Sequence, residues 1–118
     1  MIIPKSKSKT KKPIILPLKK TGLLIKPPNS EKIKSGYVIL KKGEEMKEHT
    51  THNREEIIII LEGRAKVIIE DEEREVKKNH LVFIPENKKH SLKNNYNKVL
   101  KYIYIVTPIF SKGGEENG

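Results

Sequence analysis

The stretch Gly43-Glu-Glu-Met-Lys-Glu-His49-Thr-Thr-His52-Asn-Arg-Glu55-Glu56-Ile57-Ile-Ile-Ile-Leu61-Glu62-Gly63 decides how this chain folds. Its second half sets five aliphatic residues, Ile57–Leu61, between a pair of glutamates and Glu62-Gly63. The run is too short for an ordinary helix and dense in β-branched isoleucine, so it reads as a strand. Being apolar on both sides, it is expected to turn one face to the core and the other to a second sheet or subunit. The first half brings two imidazoles, His49 and His52, and the carboxylates Glu55 and Glu56 to the end of that strand.

Outward from this stretch the pattern is short strands and turns. Tyr37–Leu40 precedes it, and Glu62-Gly63 turns the chain into Ala65–Glu70. Asp71-Glu-Glu73 is expected as a charged turn, followed by a polar strand to about Lys78. Leu81–Pro85, His90–Lys93 and Val99–Val106 complete the set, with Pro108 as a stop. No segment has the apolar spacing of a long amphipathic helix. About eight to ten strands at this spacing make an all-β barrel or sandwich.

The N-terminal residues differ in kind. Residues 1–34 hold ten lysines and one acid, whereas residues 35–118 are nearly neutral, with 15 Lys and Arg against 14 Asp and Glu. The net charge of +10 therefore belongs to an arm. Residues 1–20, with Lys5-Ser-Lys-Ser-Lys-Thr-Lys-Lys12 and prolines at 4, 13 and 17, are expected to be a flexible basic arm. Within it, Ile14–Leu18 offers an apolar segment to a sheet edge. Residues 21–110 are the expected barrel and residues 111–118 a frayed tail.

Composition excludes several classes of function. The chain has 118 residues, enough for one modest core, and no cysteine, so disulfides, thiolate metal sites and cysteine nucleophiles are out. The longest apolar run falls far short of a membrane span, and lysines and prolines interrupt the N-terminus where a signal peptide would be apolar. A cytoplasmic location is the default expectation. Richness in Lys, Glu and Ile without Cys resembles thermophile usage.

All four histidines lie between His49 and His90, and His90 sits in a second ordered stretch, Pro85-Glu-Asn87-Lys-Lys-His90-Ser-Leu-Lys-Asn94. The two stretches resemble the paired motifs of the cupin superfamily, G-x5-H-x-H-x3-E-x6-G and G-x5-P-x-G-x2-H-x3-N. Gly43-x5-His49, His52-x3-Glu56 and Glu56-x6-Gly63 fit parts of the first. Pro85, His90 and Asn94 fit the second, with Asn79 and Asn87 where it has glycine. Asparagine enters left-handed backbone conformations more readily than other side-chain-bearing residues, so those turns are expected to survive. The resemblance covers about residues 36–106 and implies a small single-domain jelly-roll barrel, the double-stranded β-helix.

The departure lies between the histidines, where the family has one residue and this chain has Thr50 and Thr51. Counting from Gly43 makes His49 the first ligand and puts Thr51 at the second; counting back from Gly63 makes His52 the second ligand. One extra residue, in a bulge or the hairpin loop, must absorb the conflict, because His49 and His52 cannot otherwise share a face. The candidate metal ligands are thus His49, His52, Glu56 and His90. Either all four bind, or Glu56 and His90 bind with one of His49 and His52, or the frame holds no metal. Two histidines and a carboxylate suit iron, manganese, nickel or zinc. His80 is expected at a surface turn, and Glu55 opposite in direction to Glu56.

For function, the resemblance implies a ligand in the barrel mouth, with Ile58, Ile60, Val82, Ile84, Tyr102 and Tyr104 as candidate lining residues and most of them expected in the core. Two readings follow. One is a metal-dependent site acting on or binding a small molecule; the other is a non-catalytic binding or sensing module without metal. Arg54, Arg64 and Arg74 are the chain's three arginines, few for a sugar-phosphate pocket. The expected partners are a small molecule and a second copy of the chain in a homodimer, with neither nucleic acid nor a membrane expected: the arm lacks aromatics for base stacking.

Overall fold

The computed structural model describes residues 11–108. The lysine cluster before residue 11 and the expected tail at 111–118 lie outside the described residues. Nine strands follow in order: β1 Gly22–Ile25, β2 Lys34–Leu40, β3 Glu45–Thr50, β4 Arg54–Glu62, β5 Arg64–Ile69, β6 Glu72–Lys77, β7 Leu81–Ile84, β8 Lys89–Lys93 and β9 Leu100–Pro108. Among the described residues there is no helix. The strands form two antiparallel sheets, β1-β2-β9-β4-β7 and β3-β8-β5-β6. This is the all-β, double-sheet architecture expected from the strand pattern.

The core lies between the sheets and follows the period-two alternation of side chains. From the first sheet come Leu40, Ile58, Ile60, Ile84, Leu100 and Tyr102; from the second come Ala65, Val67 and Leu92. The opposite face of the first sheet is apolar as well. Across four strands the register places Phe83, Ile57, Ile105 and Ser35 in one row and Leu81, Ile59, Ile103 and Tyr37 in the next. Leu81 and Phe83 on β7 are about half exposed. The doubly apolar reading of Ile57–Leu61 is explained by these two faces. The second sheet ends instead in a charged edge strand, β6, whose Glu73 and Glu75 pair with Lys66 and Arg64 of β5.

Local backbone chemistry departs from the sequence reading in three places. The turn after β5 is Glu70-Asp71, with Glu70 at φ 55°, so Glu72 and Glu73 already belong to β6. A polar run reads as a turn by composition, yet here each charged residue faces solvent from an edge strand. The edge of the first sheet is taken by Gly22–Ile25, while residues 11–19 have no regular structure and Ile15 is almost fully exposed. Pro13 and Pro17 each lack an N–H for a ladder, which disfavours Ile14–Leu18 as a strand. Finally, Glu45–Thr50 is a strand despite a single apolar residue, Met46, because its ladder to β8 supplies what propensity does not.

The glycine-to-asparagine exchanges hold: Asn79 and Asn87 have φ of 69° and 59°. Gly63, at φ 78°, leaves no room for a Cβ against the Val99 carbonyl. Asn94 is fully buried and ties three segments together. Its side-chain amide donates to the carbonyls of Leu40 (2.8 Å) and Lys98 (2.9 Å), and its Oδ1 accepts from the Tyr96 N–H (3.0 Å). Asn94→Leu keeps the volume but strands those partners, and should cost about 3 kcal/mol at the order of magnitude set by buried unsatisfied polar groups. Urea unfolding checks this; a loss under 0.5 kcal/mol, roughly that of an ordinary surface substitution, would show that the side chain is not a structural tie.

Candidate functional site

One residue count decides which way the histidines point. Between Met46 and His49 strand β3 carries one more residue than its partner β8, where the paired positions are Leu92 and His90. This bulge changes which alternate residues face inward: Met46 packs on the core, and after the bulge His49 and Thr51 line the interior. Thr51 is buried, its hydroxyl donating to the Pro85 carbonyl at 3.1 Å. His52 follows in an exposed turn closed by the Arg54 N–H on the Thr51 carbonyl and by Asn53 at φ 51°. The register thus runs forward from Gly43, and the residue in excess is absorbed in the turn before β4.

Among the described residues, His49, Glu56 and His90 form a cluster whose ligand atoms all lie within 4.8 Å of one another. The three come from β3, β4 and β8, so the cluster spans both sheets. Glu56 and His90 are buried, with His90 Nε2 3.0 Å from Glu56 Oε1. His49 is exposed at the mouth, its ring edge-on to His90 with centroids 4.1 Å apart. His90 pairs directly across the strands with His49, which explains the ring contact.

Hydrogen bonding selects the tautomers. A carbonyl only accepts, so the 3.1 Å contact of His90 Nδ1 with the Lys88 carbonyl places a proton on Nδ1. His49 Nδ1 stands likewise 3.2 Å from the Lys47 carbonyl. In the neutral imidazoles both Nε2 lone pairs are then left for another partner. For His90 that lone pair faces the Glu56 oxygen, and only a shared proton or a cation makes this contact attractive. Burial pushes the His90 pKa down, but the hydrogen bonds to Glu56 and Lys88 and the Glu56 charge outweigh it, so the pKa lies above its ordinary 6.5.

This donor set fits a divalent transition ion. Two imidazole nitrogens and a carboxylate oxygen with metal bonds of about 2.1 Å stand roughly 3 Å apart when adjacent in an octahedron. The Glu56–His90 separation already has that length.

Beside the cluster lies a cavity of about 600 Å³, lined by His49, Thr51, Glu56, Tyr102 and Tyr104 among others. Of the other lining candidates, Ile58, Ile60 and Ile84 are fully buried core residues. Val82 packs against the core and borders a different cavity between β6 and β7. Tyr104 lies across Gly36 of β2, where any Cβ would collide with its ring and hydroxyl. The Tyr102 hydroxyl is buried without a hydrogen-bond partner. Burial first, and then the Glu56 charge, push both phenol pKa values up, so both remain protonated donors.

A model of the cupin domain matches residues 36–106, more than half the chain. The chain is a cupin. It is 28% identical over 90 residues to an uncharacterized protein of Methanocaldococcus jannaschii, covering 75% of this chain and 77% of that one. The crystal structure of an RmlC-like cupin family protein with a double-stranded β-helix fold from the same organism aligns with a TM-score of 0.63 at 22% identity, over 74% of this chain and 89% of the other. The cupin domain of Schizosaccharomyces pombe Cnp3 aligns at 0.68 with 19% identity, over 75% of this chain and 63% of that one. At such identities the structural likenesses speak for the fold alone.

Two features of this cupin's site escaped the sequence reading. The bulge between Met46 and His49 has no residue signature, since Lys47 and Glu48 are ordinary exposed residues. Lys34 and Arg54 line the cavity although the sequence assigned neither to a pocket, and only strand pairing reveals their position. His80, expected at a turn, is exposed there with Nδ1 near the Lys77 and Lys78 carbonyls, and Glu55 is exposed.

A raised folded-state pKa stabilises the protein below the unfolded value, and that contribution is lost as pH rises through the folded value. Metal-free protein should therefore lose stability as pH climbs above about 6.5, the ordinary histidine value, and Glu56→Gln should flatten that slope. Chelator-treated protein unfolded in urea across this range provides the check. A slope of opposite sign would mean that burial, not Glu56, governs His90.

Proposed function

We propose that this cupin binds one divalent transition metal through His49, Glu56 and His90 and uses the adjoining cavity to hold a small molecule against it. The observation that carries this reading is the pair of imidazoles whose Nδ1 atoms are engaged by backbone carbonyls, with His90 Nε2 3.0 Å from the buried Glu56 carboxylate and a His49 ring nitrogen in the same cluster. Iron, manganese, nickel and zinc all suit such a donor set. The bound ion would supply Lewis acidity towards a chelating ligand. The chain's own part is to fix the ligand-binding atoms and shield one side with the sheet interior. Tyr102 and Tyr104 of β9 belong to the cavity wall, both held protonated by burial and the Glu56 charge.

His52 stands outside the cluster in this arrangement, so the two histidines are separable experimentally. His90→Ala should abolish stoichiometric zinc uptake, whereas His52→Ala should leave it within about twofold, as for a surface residue away from the site. Calorimetric titration of chelator-treated protein measures both. Zinc uptake that survives His90→Ala would refute the site.

We further propose that the chain is a homodimer joined through the outer face of the first sheet. Two four-strand rows of almost wholly apolar side chains, with Leu81 and Phe83 half exposed, support it. Phe83→Lys should convert the dimer to a monomer in sedimentation at micromolar concentration; an unchanged mass would place the interface elsewhere.

A further inference from the structure

The wall of the cavity beside the proposed metal cluster carries two solvent-exposed cations. Lys34 opens β2 and Arg54 opens β4, and both line the cavity. The register puts Lys34, Val106 and Glu56 in one row across β2, β9 and β4. Arg54 is two residues before Glu56 and therefore on the same face. Its Cα is about 6.6 Å from that of Glu56 along the strand, and the Cα of Lys34 about 9.5 Å away across two strand spacings. Among the described residues, no side-chain hydrogen bond or ion pair engages either cation. Of the two acids lining the cavity, Glu56 faces His90, and Glu45, on β3 of the other sheet, is within 4.0 Å of Lys93.

Tyr102, fully buried, lies behind this wall, so the entering ligand meets the two cations. Two unpaired cations face the same space, and both complement oxygen-rich, negatively charged groups.

We propose that the cavity takes a short hydroxy-dicarboxylate, bound at one end to the metal and at the other by Arg54 and Lys34. The inference rests on the metal reading above and adds the ligand class. A 2-hydroxy acid end chelates the ion through hydroxyl and carboxylate oxygens. The second carboxylate then extends along the wall from Glu56 towards the guanidinium and ammonium groups.

Malate and lactate separate the two halves of this inference, because lactate has the chelating end and lacks the second carboxylate. Calorimetric titrations of the zinc-loaded full chain with each acid should show malate binding at least about tenfold tighter, the scale of one charge-assisted hydrogen bond. The double variant R54Q/K34Q should bring malate down to lactate's affinity and leave zinc and lactate binding unchanged. Equal affinities in the unmodified protein, a malate advantage that survives the double variant, or binding of neither acid would each overturn the ligand assignment while zinc uptake still stands. Failure of zinc itself to bind would instead remove the metal site, and the ligand assignment with it.

Discussion

The contact on which the rest depends is the one between Glu56 and His90. It joins β4 of one sheet to β8 of the other, both side chains are buried, and its length is 3.0 Å. Taking a carboxylate and an imidazole out of water is costly, and that cost is recovered only when a positive charge lies between or upon them. With His90 Nδ1 committed to a carbonyl, the pair demands a proton or a metal ion at Nε2. The surrounding barrel is arranged so that this demand is met from one direction, the cavity. His49 stands on that side, and the tyrosines of β9 close the wall beside it.

Most of the architecture was legible because it rests on period two. Ile57–Leu61 announced a strand apolar on both faces, and the structure supplies a core on one side and an apolar sheet surface on the other. Asn79 and Asn87 could be assigned left-handed turns in advance because few side chains tolerate that backbone region. The acidic segment after β5 misled, since composition distinguishes a turn from a charged edge strand poorly and Glu72 and Glu73 prove to be laddered. The proline-bounded Ile14–Leu18 segment misled in the other direction, offering apolar residues without the donors a ladder needs.

For the site, the resemblance to the cupin motifs nominated Glu56 and His90, which the fold brings to 3.0 Å, and the ambiguity between His49 and His52 was visible as one surplus threonine. Its resolution was not. Two irregularities of different kinds, a bulge in β3 and a left-handed residue in the following turn, compensate one another, and sequence alone does not apportion them. Lys34 and Arg54 were invisible for a related reason. They are far apart in the chain, and only the pairing of β2 and β4 with β9 brings them onto one wall.

The bulge carries an implication for how this chain tolerates change. Lys47 and Glu48 are exposed, touch nothing in the core, and are chemically replaceable. Their number is another matter. Deleting one would remove the bulge and leave His49 opposite His90 on the same face as Met46, whereas inserting one would add a second surplus residue before His49. The segment is therefore free in spelling and asymmetric in length. Substitutions scanned there would pass as silent, and a single-codon deletion would straighten β3 with the His49–His90 pairing kept. An insertion is the change that β3 would have to bulge further to absorb.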